Sequence, residues 1–150
     1  MDINKNSKKN VAVSACLLGE PCRYDGKSKR HALIDALAQK HDLVPVCPEV
    51  LGGLPTPRTP SERVGERVMM RDGRDVTENY RTGAQKALET ALREGCTLAV
   101  LKARSPSCGK GEIYDGTFTK TLISRDGVTA ELLKEHGIRV LTEEEILSLL

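Results

Sequence analysis

Short β-branched runs alternate with segments of helical periodicity along most of this chain, and that order restricts the fold more than any other feature. NVAVSA (Asn10 to Ala15) reads as a first strand and DLVPVC (Asp42 to Cys47) as a second, with Pro45 marking an edge position or a bulge. CTLAVLK is a third strand and IRVL a fourth. Between the first two, HALIDALAQKH (His31 to His41) carries Leu33, Ala36, Leu37 and Lys40 at helical spacing. Thr77 starts the strongest helix, with Tyr80, Ala84, Ala87, Leu88, Ala91 and Leu92 on one face and Gly95 as its stop. TAELLKEHG is a further helix, and TEEEILSLL a last one capped by Thr142. The proline-rich stretch Pro48 to Pro60 reads as irregular, and Asp-Gly pairs at 72–73 and 115–116 predict two small hairpins. Strands alternating with helices require a mostly parallel sheet covered on both faces, an α/β/α sandwich of Rossmann or flavodoxin-like kind with small hairpin insertions.

At 150 residues the chain fits one domain, read here as a single α/β domain over residues 10–150 after a polar, disordered tail at residues 1–9. The tail lacks the apolar stretch of a signal peptide, and the longest apolar runs are too short to cross a bilayer. A cytoplasmic location without membrane association is therefore expected, with five cysteines kept reduced rather than paired. A net charge of +2, one Phe, three Tyr and no Trp leave little with which to bind a nucleic-acid polymer. A small anionic ligand remains compatible, and the chain is read as a monomer or homodimer.

In a parallel sheet, ligands bind beyond the carboxyl ends of the strands near a switch in strand order. Three predicted strands end in cysteine-bearing loops: SACLLG with Cys16, VPVCPEVLGG with Cys47 and RSPSCGKG with Cys108. Three soft thiols delivered by separate loops suit a metal or an iron–sulfur cluster; converging buried thiols without metal are the competing reading. Cys22, in GEPCRYDG, stands near enough in sequence to be a fourth ligand, which would close a [4Fe–4S] site and favour a non-catalytic redox-sensing module. Three ligands would leave one iron open to substrate. Zinc is disfavoured because His31, His41 and His136 lie in or at helical segments away from the cysteine loops. Cys96 reads as a small buried hydrophobe.

Beside the candidate ligands, Glu49 has the chemistry of an acid poised in a partly dry pocket, or of a partner to an arginine. Ser105 and Ser107 flank Pro106 and offer hydroxyls to a substrate heteroatom or to their own turn. Arg23, Arg58, Arg63, Arg104 and Lys110 supply cations in these loops, of which Arg23, Arg58 and Arg104, with Ser107, are the substrate-binding candidates. Neither a P-loop nor a dinucleotide fingerprint is present.

SACLLGEPCRYDG, VCPEVLGGLPTPRTP, LKARSPSCG and DGVTAELLKEHGIRVLTEEE together resemble the thiouracil desulfurase (desulfidase) family, over nearly the whole chain from Val11 to about Leu147. The resemblance implies a [4Fe–4S] cluster held by three cysteines, falling here on Cys16, Cys47 and Cys108, with Glu49 as the acid and Ser105 or Ser107 as the functional serine. It implies hydrolytic removal of sulfur from a thiolated uracil base or nucleotide, such as 2-thiouracil or 4-thiouridine monophosphate, with release of hydrosulfide.

Overall fold

The computed structural model describes residues 9–27 and 30–150. The predicted tail over residues 1–9 lies outside the described residues except for Lys9, which opens the first strand. In chain order the elements are β1 (Lys9–Ser14), α1 (Ile34–Lys40), β2 (His41–Val46), α2 (Pro48–Leu51), β3 (Ser61–Val64) and β4 (Arg67–Met70). There follow α3 (Thr77–Arg93), β5 (Leu98–Leu101), β6 (Ile113–Tyr114), β7 (Leu122–Ile123), α4 (Val128–Glu135) and β8 (Arg139–Thr142). Two 3-10 segments complete the set, Ala15–Leu18 after β1 and Glu143–Leu149 after β8.

Four strands form a parallel sheet in the order β2-β1-β5-β8. Alternation along each strand divides the core. Ala12, Ala99 and Leu101 face α3 and α4, where they meet Ala87, Leu88, Ala91, Ala130 and Leu133. Val11, Val13 and Val100 face the other way, onto Ile34 and Leu37 of α1 and Ile146 of the last 3-10 segment. The result is the predicted three-layer α/β/α arrangement. From β1 the chain moves outward to β2 and then crosses to β5 on the far side of β1, so a crevice opens at the carboxyl ends of β1 and β5.

Several local expectations change. The buried face of α1 is Ile34 and Leu37 rather than Leu33, Ala36 and Lys40, and Leu92 of α3 is exposed, because the α3 stripe narrows toward its last turn. Pro48–Leu51 is helical, since proline is accommodated at the first position of a helix. The first hairpin turns at Gly65-Glu66, between β3 and β4; Asp72-Gly73 makes the next turn, leading to the Met69–Asp75 bridge. Pro45 sits on β2, an edge strand, as its missing N–H requires. Thr142 caps the C-terminal segment with Glu145 in a capping box, but that segment winds as a 3-10 helix.

Candidate active site

Each candidate thiol is placed by a different piece of backbone. Cys16 lies in the 3-10 turn that directly follows β1, and Cys47 precedes α2 at the end of β2. The short helix α2 is seated on α3 by two glycines: a Cβ on Gly83 would come within 1.8 Å of the Pro48 carbonyl oxygen, and one on Gly52 within 2.0 Å of the Asn79 carbonyl oxygen. Asn79 Nδ2 donates to the Gly52 carbonyl at 2.9 Å and completes the seat. Backbone-to-backbone approach therefore fixes Cys47 and Glu49 against the strongest helix.

The Cys108 loop is built as the N-terminal cap of α4. Backbone N–H groups of Val128, Thr129 and Ala130 cannot bond within their own helix, and they donate to the carbonyls of Pro106 and Ser107 at 2.8–3.1 Å. Gly127 N donates to the Gly109 carbonyl at 2.7 Å. Two glycines permit this closeness, since a Cβ on Gly127 would meet the Ser107 carbonyl at 2.5 Å and one on Gly109 the Ser105 carbonyl at 2.7 Å. Ser105 Oγ accepts from the N–H groups of Ser107 and Cys108, both at 3.1 Å, closing the turn from within.

These loops border one cavity of about 380 Å³, whose wall includes Cys16, Cys22, Cys47, Cys108, Glu49 and Ser105. No disulfide joins any of the five cysteines. Among the described residues, no three His, Cys, Asp or Glu side chains gather around one ion-sized point, although the Cys22 thiol hydrogen-bonds both Cys16 and Cys47 on the cavity wall. Three soft sulfur donors on separate strand ends, with glycines where backbone must come close, are a donor set that fits an iron–sulfur cluster. Three of these thiols, Cys22, Cys47 and Cys108, are held in their protonated form: burial pushes Cys108 up to about 12, and the hydrogen bond with Cys16 is the largest cause raising Cys22 to about 11. Cys47 is raised further still, by its hydrogen bond with Cys22 and by burial. A metal centre seated here would supply the positive charge that ionises its ligand thiols.

Arg58 borders the same cavity with its guanidinium engaged by protein groups. Its side chain is 3% exposed, and all five N–H donors of the guanidinium have partners. Nε donates to Glu49 Oε2 at 3.0 Å, while one terminal nitrogen reaches the same oxygen and the Cys22 carbonyl. The other terminal nitrogen donates to the Pro55 carbonyl and Thr56 Oγ1. No guanidinium donor is left without a protein partner. Glu49 accordingly has the arginine partner, with Oε1 turned toward Ser105 Oγ at 3.5 Å.

The two serines separate cleanly. Ser105 lines the cavity, whereas Ser107 is 1% exposed and hydrogen-bonded to Thr129 Oγ1 at 2.7 Å on α4. Ser107 thus stands as a buried link between the loop and the helix, away from the cavity wall. Arg23 and Arg104 both border the cavity, Arg23 half-exposed beside Asp25 and Arg104 paired with Glu144 at 2.9 Å. Lys110 instead pairs with Glu145, and buried Arg63 with Glu131, both away from the cavity wall. Cys96 is buried in the apolar core, as expected of a small hydrophobe.

Tertiary structure adds residues that sequence pattern did not single out. Ser14, buried at the end of β1, accepts from Lys102 N at 2.9 Å and hydrogen-bonds the Cys108 thiol. Tyr80, read as core, borders the cavity beside Glu49; burial and that carboxylate's charge keep its phenol protonated well above the ordinary range. Lys102, Arg71, Tyr114, Phe118 and Lys120 complete the outer wall, with the Arg71 guanidinium 5.5 Å above the Phe118 ring. The mid-helix glycine at 83 was the one available signal for the α2 seat, since glycine inside a helix needs a packing reason.

This geometry has close counterparts. A solved structure described as a [4Fe–4S]-dependent thiouracil desulfidase, TudS, superposes with a TM-score of 0.87 at 46% identity, covering 95% of this chain and 100% of its own. YbbK of Bacillus subtilis (strain 168), described as an uncharacterized protein, is 42% identical over 146 residues, 91% of this chain and 97% of its own length. The family model for 2-thiouracil desulfurase matches residues 11–145, a span that contains every cavity-lining cysteine. The chain belongs to the 2-thiouracil desulfurase family.

Proposed function

We propose that this chain is a desulfidase that hydrolytically removes sulfur from a thiolated uracil base or nucleotide, at a [4Fe–4S] cluster held by Cys16, Cys47 and Cys108. The observation that carries the reading is the meeting of these thiols with Glu49 and Ser105 on one cavity wall, in a chain of this family. The structural relative's description as a [4Fe–4S]-dependent thiouracil desulfidase supports the cofactor. When bound, such a cluster supplies a soft Lewis-acid position that polarises a thiocarbonyl sulfur.

The chain's own residues supply the rest. Glu49 takes a proton at Oε1 from the attacking water and returns it toward the departing sulfur. Ser105 orients the water or the substrate's ring polar atom, its hydroxyl being held by two loop N–H groups and directed at Glu49. Thiocarbonyl and water become carbonyl and hydrogen sulfide, with no net change in oxidation state. The outer wall fits a thiolated pyrimidine bearing an anionic group: Arg23, Arg71, Lys102, Arg104 and Lys120 border the cavity together with Tyr24 and Phe118.

The test is anaerobic reconstitution with iron and sulfide, then release of sulfide from 2-thiouracil and 4-thiouridine monophosphate. Sulfide released in proportion to cluster content supports the reading; loaded protein that releases none from either substrate rejects it. A second reading is favoured by two contacts of one thiol: Cys22 hydrogen-bonds both Cys16 and Cys47. It makes Cys22 a fourth ligand of a closed, non-catalytic redox-sensing site. Cys22→Ser that keeps a full cluster excludes it.

A further inference from the structure

We propose that Arg58 is a positioning residue of the reaction, acting through Glu49 and through the Cys22 loop rather than on the substrate. The inference rests on the function proposed above, and its geometry is independent of which thiolated pyrimidine is used. Two donors of the guanidinium converge on Glu49 Oε2, so the carboxylate cannot rotate about its last bond without breaking both. Oε1 is the oxygen left to face Ser105 and the cavity. A third donor holds the Cys22 carbonyl at 3.0 Å, and that carbonyl also receives the Cys47 thiol at 3.8 Å. The two remaining donors anchor the guanidinium to Pro55 and Thr56 of its own loop.

Backbone contacts extend the same connection. Arg58 N donates to the Tyr24 carbonyl at 2.6 Å, so this residue clips loop 20–27 to the loop that follows α2. Tyr80 closes the far side of Glu49 from α3. A lysine would keep the charge and lose the planar fork that reaches four acceptor groups at fixed angles. Misplacing a catalytic group by about 1 Å costs on the order of 10²-fold in rate. The burden of the substitution therefore falls on turnover and not on substrate capture.

Arg58→Lys and Arg58→Ala are compared with the unaltered chain, each loaded anaerobically and assayed with both 2-thiouracil and 4-thiouridine monophosphate. For Arg58→Lys the expected result is a kcat lower by roughly 10- to 100-fold, KM within about threefold, and unchanged iron and sulfide content. Guanidinium ion added to Arg58→Ala should restore part of kcat. A KM that rises with kcat unchanged overturns the proposal and makes Arg58 a substrate-binding group. Loss of the cluster from both variants overturns it in favour of a purely structural role. Failure of the unaltered chain to turn over either substrate counts against the function, and the positioning is then decided by a crystal structure of cluster-free Arg58→Lys. A displaced Glu49 carboxylate on an unmoved α2 upholds it; a carboxylate still directed at Ser105 overturns it.

Discussion

The loops carrying Cys108 and Cys22 both reach the same cavity, yet they are held in opposite ways. Loop 105–109 has its carbonyls taken by the first N–H groups of α4, its turn closed by Ser105, and glycines where the backbones touch. Loop 20–27 is bonded mostly within itself and to its own stem; among the described residues Arg58, through its backbone N–H and its side chain, and Cys47, through its thiol, link it to the rest of the cavity wall. Cys108 is buried and Cys22 half-buried. The difference teaches where rigidity is placed. The Cys108 thiol sits on backbone whose hydrogen bonds belong to a helix end, whereas the Cys22 thiol rides on a loop fastened by Arg58 and by the Cys47 thiol.

The sharpest way to break this comparison is at the group between the two loops. Glu49→Gln should lower kcat by roughly 10²- to 10⁴-fold while iron and sulfide content stay at the level of the unaltered chain, measured on the same anaerobic preparation. Full turnover would remove Glu49 from the proton transfers. Next in size is the contrast between thiols: Cys108→Ser should lose most of its cluster iron, and Cys22→Ser should retain it. Equal loss in both would erase the distinction between the loops and favour the closed four-cysteine site.

A smaller effect tests the seat of Cys47. Gly83→Ala places a methyl into the Pro48 carbonyl and should destabilise the cluster-free protein by about 1–3 kcal/mol in urea denaturation, with a further loss of cluster affinity. Ser107→Ala, which leaves the buried Thr129 hydroxyl without its partner, should cost about 1–2 kcal/mol and leave KM unmoved. A raised KM would return Ser107 to the substrate. The mildest test is pH. In cluster-free protein the thiols of Cys22 and Cys108 are raised from 9.0 to about 11 and about 12. Folding therefore favours the protonated thiols, and their contribution is complete below about pH 9 and lost as pH rises through 9 to 12. Thermal midpoints should fall more steeply above pH 9 than those of a Cys108→Ala variant, and parallel curves would count against a buried thiol at this position.

Much of the frame was legible in one dimension. β1, β2, β5 and β8 sit where short apolar runs occur, and in the central strands β1 and β5 the run is continuous because both faces are buried. Pro45 fell at an edge because a proline nitrogen has no proton for a neighbour. What misled were features decided by contacts between distant segments. The helical turn at Pro48–Leu51 exists because Gly52 and Gly83 let it lie on α3, 31 positions separating the two glycines (83 − 52). Asp72-Gly73 does make the turn its chemistry predicts, leading to the Met69–Asp75 bridge, but the pairing of β3 with β4 adds a reversal at Gly65-Glu66 that local sequence did not mark.

The sequence by itself determined the layered α/β architecture, the delivery of Cys16 and Cys47 to strand ends, and membership in a family whose motifs run the length of the chain, since periodicity and local motifs are written in neighbouring residues. Only the tertiary structure decided which polar groups face the cavity. Ser105 and Ser107 are two positions apart and chemically alike, yet the cap of α4 turns one inward to Thr129 and leaves the other beside Glu49. Arg58 is one loop cation among several in the sequence, and only the fold brings partners from three segments to all five of its donors. A side chain's role depends on which partners the fold supplies, and those partners are remote in sequence.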